Sequence, residues 1–262
     1  MFQIQPEGEF TIDGAVQRLQ DFHDETAYET TSGETVSLVS EVLELTQEDN
    51  IVRGIFSRDF IARRSFRRDV VETPITEEAP FWIIPFEDQY YVIVTAPSGT
   101  SSGKKLITNH VANALSAILL QRAWGIVEVA LTSETLKEMH ESNPQASKLI
   151  WFDDLDYPSV QKLCLAGSSL ADTKLYQEYL AHGKIWYVVF EVQHRGIVVG
   201  ITRKCVITLF SKSTLEEFVT YIREDVFPLI ELTREPRTHQ VSSVPHQERS
   251  EEDTPQLERV GL

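Results

Sequence analysis

A chain of 262 residues that is 42% hydrophobic and 24% charged holds enough apolar side chains for a full core, in one domain or two. A formal charge of −16 and a pI near 4.9 exclude general coating of nucleic acid or of an anionic membrane. No apolar run approaches the ~18 residues of a membrane helix, and the opening MFQIQPEGEF lacks the basic end and apolar block of a secretion signal, so a cytoplasmic location is expected.

The elements follow in chain order. Ile12, Ala15, Val16, Leu19 and Phe22 recur at spacings of three and four, which predicts a helix over 11–25 capped by Thr11 or Asp13. Tyr28 to Glu34 reads as a loop around Ser32-Gly33. From Thr35 to Phe60 the pattern is a β-hairpin: VSLVSEVLELT, a four-residue turn Gln47-Glu48-Asp49-Asn50, then IVRGIFSRDF. A helix over 36–45 competes, since Leu38, Val39, Val42 and Leu43 also fit a helical face. With the four-residue turn Glu44 faces Arg53, a cross-strand pair of about 0.2–1 kcal/mol. Residues 69–80 read as a connector broken by Pro74 and Pro80.

FWIIPF and QYYVIVTA then form a second hairpin about Glu87-Asp88. The loop PSGTSSGK leads to a helix over 105–120 with Ile107, Val111, Leu115, Ile118 and Leu119 on one face. GIVEVAL is a strand, and Thr132 or Ser133 caps a helix that stops before Pro144. SKLIWF and VQKLCLAG are strands joined by the acidic loop DDLDYPS. ADTKLYQEYLAHG is a helix closed by Gly183. KIWYVVFEVQ, IVVGITR and CVITLF form a meander that turns at His194-Arg195-Gly196. Ser213 and Glu216 form a capping box that opens a helix over 214–230. Beyond Ile230 there is no Phe, Trp or Tyr, and residues 231–262 are expected to be a disordered acidic tail. The fold class is α+β, with helices packed across antiparallel sheets in two lobes, 1–146 and 147–230.

Cys164 and Cys205 both sit in strand-like apolar runs and are expected as reduced core residues. The aromatics Trp82, Tyr90, Tyr91, Trp186 and Tyr187 are likewise expected in the core. Without C-x-x-C or a zinc-type histidine spacing, no metal site and no cofactor are expected. His110 and His182 have structural explanations, the second as a cation at a helix C-terminus. No catalytic residue is assigned.

One segment breaks the charge pattern. Six of the fifteen arginines, Arg53, Arg58, Arg63, Arg64, Arg67 and Arg68, fall in RGIFSRDFIARRSFRR against Asp59 alone, a net +5 where the rest of the chain sums to −21. If extended, the run sets Phe56, Arg58, Phe60, Arg64, Phe66 and Arg68 on one side and Arg53, Ile55, Ile61, Arg63 and Arg67 on the other. Guanidinium forks take phosphates, and interleaved rings stack on bases. The plainer expectation is that the phenylalanines are core and the arginines pair with Glu44, Glu48 and Asp49 of the acidic first fifty residues.

Two weaker constellations remain. Ser98-Gly99-Thr100-Ser101-Ser102-Gly103-Lys104-Lys105 stands between a strand and a helix, as a phosphate-binding loop does. Ser98 replaces the first glycine of that pattern and Lys105 its magnesium-binding hydroxyl. Asp153, Asp154 and Asp156 could hold Mg²⁺ or Ca²⁺, but no calcium-loop glycine follows, and a solvated turn is the expectation. The sequence therefore points to a non-enzymatic accessory protein that contacts nucleic acid through the arginine segment, extended by Lys104 and Lys105, with a protein partner in a larger assembly. Its alternatives are a phosphate-handling or metal-dependent enzyme using 98–105 and 153–156, and a protein–protein adaptor.

Overall fold

The computed structural model describes residues 1–96, 101–142 and 145–234, and of 101–106, 142 and 232–234 the backbone alone. After β1 (Phe2–Ile4), Thr11 caps α1 (Ile12–Gln20) by accepting the Gly14 N–H at 3.2 Å, and Ile12, Ala15 and Leu19 turn inward. The helix ends earlier than its periodicity predicts. The chain continues as β2 (His23–Glu29), read in the sequence as helix end and loop. Its residues are polar and mostly exposed, and it forms the sheet edge, so it lacks the alternation of a half-buried strand.

β3 (Thr35–Glu48) and β4 (Ile51–Phe66) form the expected hairpin in place of the competing helix, with a shorter turn. Asp49 and Asn50 make it alone, at φ 48° and 64°, the left-handed pair that a two-residue turn requires and that Asp and Asn tolerate. Glu44 does not face Arg53. Glu44 (φ 49°) and Leu45 together oppose Gly54, and this bulge brings Thr46 opposite Arg53.

Residues 69–80 are strand. β5 (Asp69–Phe86) pairs with β4 in unbroken antiparallel register from Val52↔Ile83 to Phe66↔Asp69. The Thr95 N–H donates to the Pro80 carbonyl from the far side at 3.0 Å. Pro80, and Pro74 six residues earlier, therefore turn their missing N–H away from β4 and interrupt no bond of the β4–β5 ladder. β6 (Gln89–Val94) covers β5 only from Phe81 to Phe86 and leaves the Pro74 stretch as open edge.

α2 (Ser101–Leu120) and β7 (Ile126–Glu128) complete a seven-stranded antiparallel sheet of order β2-β3-β4-β5-β6-β1-β7. α1 and α2 cover one face, where Ile12, Leu19, Val111, Leu115 and Leu119 pack on Phe56, Phe81, Ile83 and Val92. α3 (Ser133–Ser142), capped by the Thr132 hydroxyl, leads to a second sheet. Its strands are β8 (Ser147–Asp153), β9 (Leu163–Ala166), β10 (Lys184–Val192), β11 (Ile197–Thr202) and β12 (Ile207–Leu209), in the order β12-β11-β10-β8-β9, with α4 (Lys174–His182) between β9 and β10 in the chain. Trp82, Ile84, Tyr91 and Ile93 of the first sheet share one buried cluster with Phe152, Ile185, Val188 and Ile201 of the second. Burial on both faces explains why FWII and YYVIV are continuously apolar rather than alternating.

The capping box lies one residue later than expected. The Thr214 hydroxyl accepts the Glu217 N–H at 3.2 Å, and the Glu217 carboxylate accepts the Thr214 N–H at 2.8 Å. Thr214→Ala is expected to lower stability by about 1 kcal/mol in urea denaturation. α5 (Leu215–Tyr221), a π turn (Ile222–Val226) and α6 (Phe227–Arg234) run on as one helix, and the π turn ends two residues before Pro228, which has no N–H to donate. The helix thus takes in 231–234, the start of the predicted tail. Residues 235–262 lie outside the described residues.

Gly183 does close α4, but in extended conformation (φ −157°, ψ −177°) rather than left-handed. Space is its reason: a Cβ there would meet Leu155 at 2.5 Å and the Asp153 carbonyl at 3.0 Å. Cys205 is buried as expected, whereas Cys164 is exposed opposite Trp151, on the face of the second sheet turned away from the core. Trp151, Trp186 and Tyr187 are half-buried, so Trp186 and Tyr187 are not the core residues the sequence suggests, unlike Trp82 and Tyr91.

Candidate nucleic-acid interface

The arginine run is β4 itself. Its pairing with β3 stops at Ser40↔Arg58, and beyond that point its ladder partner among the described residues is β5. The outer halves of β4 and β5 are thus a two-stranded ribbon. β2 and β3 splay from it because Asp59 acts as a wedge: its carboxylate accepts the Val39 N–H at 3.1 Å and the Thr76 hydroxyl at 2.6 Å, taking the place of a ladder bond. An open groove of about 460 Å³ runs between the two hairpins, lined by Tyr28, Leu38, Arg58, Phe60, Ile61 and Arg63.

A polar brace closes the groove at its outer end. Glu72, directly opposite Arg63, accepts from the Thr31 N–H (2.9 Å), the Tyr28 hydroxyl (3.0 Å) and Arg63 Nε (2.9 Å). The Thr31 N–H leads these donors in holding the Glu72 carboxyl below its usual range, and the Tyr28 oxygen and Glu72 hold Arg63 firmly charged. Past this brace only 64–71 remain, three strand residues on each side and the turn, a reach of about 10 Å at ~3.4 Å per residue.

The six arginines divide into two sets. Arg63 belongs to the brace. Arg53, at the base, lies 3.8 Å from Glu216 and 5.8 Å from the Trp82 ring centroid. Arg58, Arg64, Arg67 and Arg68 have no carboxylate within ion-pair distance among the described residues, and Glu44, Glu48 and Asp49 pair with none of the six. Arg58 is half-buried beside Phe60; Arg64, Arg67 and Arg68 are exposed. With Asp69 as the one acid among 64–71, the tip is cationic on a molecule of net charge −16. It is also apolar: Phe66 is 63% exposed, Val70 58% and Val71 44%. Unbroken register places Arg64, Phe66 and Val71 on one face, as the alternation predicts, and Arg67 lies 5.4 Å from the Phe66 centroid.

Arg67 and Arg68 form the turn at φ 49° and 77°. A two-residue hairpin turn wants Asn-Gly there, and β-carbon crowding makes left-handed arginine unfavourable by roughly 1–2 kcal/mol per residue. Replacing the pair with Asn-Gly is expected to slow hydrogen exchange of the arm amides about tenfold, equivalent to ~1.4 kcal/mol, while removing two tip cations. Unchanged exchange would show the turn to be unstrained.

The other candidates do not assemble a site. Asp153 pairs with Arg203, Asp154 lies 3.7 Å from Lys184 and 3.9 Å from Arg203, and Asp156 pairs with His182 at 2.9 Å, so each of the three neighbouring carboxylates already faces a basic side chain. Among the described residues no group of three or more His, Cys, Asp and Glu side chains could hold a metal ion. His110 packs edge-on against Phe56, and burial, then the Arg58 charge, depresses its pKa. Of the glycine-rich loop, 98–100 and the side chains of Lys104 and Lys105 lie outside the described residues. The preceding β6 is antiparallel to both neighbours, unlike the strand before a nucleotide-binding loop. No helix among the described residues is long and apolar enough to cross a membrane. Comparison with protein-family models finds no match to this chain, and comparison with curated proteins finds none at the threshold for significance.

Proposed function

We propose that this protein is a non-enzymatic accessory protein that contacts nucleic acid through the tip of the β4–β5 arm, within a larger assembly. One observation carries the reading: Arg64, Arg67 and Arg68 stand exposed, without acid partners among the described residues, at the end of a braced ribbon on a chain with a large acidic excess. An acidic protein has many carboxylates with which to neutralise a cation. A tip with three exposed arginines that meet no carboxylate among the described residues, two of them in a left-handed turn, supplies phosphate-binding forks. Self-repulsion between the acidic body and the phosphates limits the contact to the arm, so another subunit supplies most of the affinity. Arg53 and Arg63 drop out of the contact set predicted from sequence, and Arg58 lies at its inner margin.

The test is fluorescence anisotropy of labelled DNA and RNA oligonucleotides with the full chain at low salt. Binding in the micromolar range or weaker that falls steeply with salt is expected. No binding to any oligonucleotide at low salt would overturn the reading.

A further inference from the structure

We infer that the ligand of the arm is B-form duplex DNA, entered end-on through the major groove; this rests on the nucleic-acid reading above. Shape and charge both lead there. A nucleic acid laid across the body would meet the acidic remainder of a chain whose net charge is −16. The tip projects about 10 Å beyond the brace, just over the ~8 Å screening length at physiological salt, so it reaches phosphates that the body cannot approach. A B-form major groove is about 12 Å wide and 8.5 Å deep and admits a two-stranded ribbon. The length of the tip matches that depth.

The side chains fit the same pose. Arg67 and Arg68 lead at the turn, where a guanidinium fork meets the O6 and N7 acceptors of guanine. Arg64 follows three residues behind, at the level of the flanking phosphates. Phe66, Val70 and Val71 give the apolar contact that a thymine methyl group takes. The alternatives fit less well. Single strands are held on successive exposed rings along a basic channel, and the tip offers one exposed ring, Phe66, with Phe60 half-buried at the groove below. An A-form RNA duplex has a major groove too narrow for side chains to read.

The experiment compares one sequence as DNA duplex, single-stranded DNA and RNA duplex by anisotropy with the full chain, and adds dimethyl sulfate footprinting, which reports guanine N7 in the major groove. The DNA duplex is expected to bind about tenfold more tightly than either alternative and to show N7 protection, both lost in the R64Q/R67Q/R68Q variant. Equal or tighter binding of single strands or of RNA duplex, or a duplex bound without N7 protection, overturns this inference and leaves the nucleic-acid reading standing. Failure of all three probes to bind overturns both.

Discussion

Substitution of Arg64, Arg67 and Arg68 by glutamine is expected to weaken DNA binding by roughly two to three orders of magnitude at about 0.1 M salt, and to flatten the dependence of log K on log salt by about 2.7. Each guanidinium whose charge the duplex phosphates neutralise, Arg64 beside them and Arg67 and Arg68 between the strands at the base edges, releases condensed counterions and contributes a slope of about 0.9, so three lost cations account for the change. The substitution removes no ion pair of the folded molecule, since none of the three has an acid partner among the described residues. The melting temperature should therefore hold while binding falls. Arg53→Gln and Arg63→Gln give the opposite pattern: the first loosens the contact with Glu216 and Trp82, the second opens the brace at Glu72, and neither takes a predicted contact from the slope. A triple variant that binds with an unchanged slope would show that the contacts lie elsewhere.

The second large effect concerns the core. Phe227→Ala is expected to destabilise the protein by about 3–5 kcal/mol through lost burial and the cavity left behind. Phe227 is 1% exposed and packs between Phe86 and Tyr91 of the first sheet, with ring centroids at 4.9 and 4.8 Å. It belongs to the cluster that also holds Phe152 and Ile201 of the second sheet, so its removal weakens the joint between them. At about 2–4 °C per kcal/mol for a chain of this size, the melting temperature should fall by roughly 6–20 °C. DNA affinity measured well below that temperature should not change, because the arm lies outside this cluster. A fall in melting temperature of less than ~2 °C would mean that the joint does not depend on Phe227.

What the sequence disclosed follows from burial. α1 and α2 bury one face each, and their periodicity showed it; the hairpin through FWIIPF and QYYVIV and the meander of the second sheet carried enough apolar residues to be read as strands. β2 could not be found that way, because an exposed edge strand has no face to hide. The arm was hidden by its prolines. Pro74 and Pro80 signal a break, and only the topology shows that both turn their missing N–H outward. Its turn was hidden as well, since no rule of turn composition selects Arg-Arg at a left-handed pair. The bulge at Glu44 shifted the register in a way that residue counting does not foresee, which removed the expected Glu44–Arg53 pair. The candidate site was legible as a cluster of charge. Its division into braced and free arginines was not, because Glu216 is distant in sequence and Glu72, though only four residues past the run, meets Arg63 only once 69–80 is a strand paired with β4.

The most direct test of the account is a salt titration of duplex DNA binding by the unmodified full chain. Three or four arginines with no acid partner among the described residues predict a straight log–log plot with a slope of about −2.7 to −3.6. A slope near zero, or no binding at the lowest salt, would mean that the phosphates of the duplex neutralise none of these guanidinium groups.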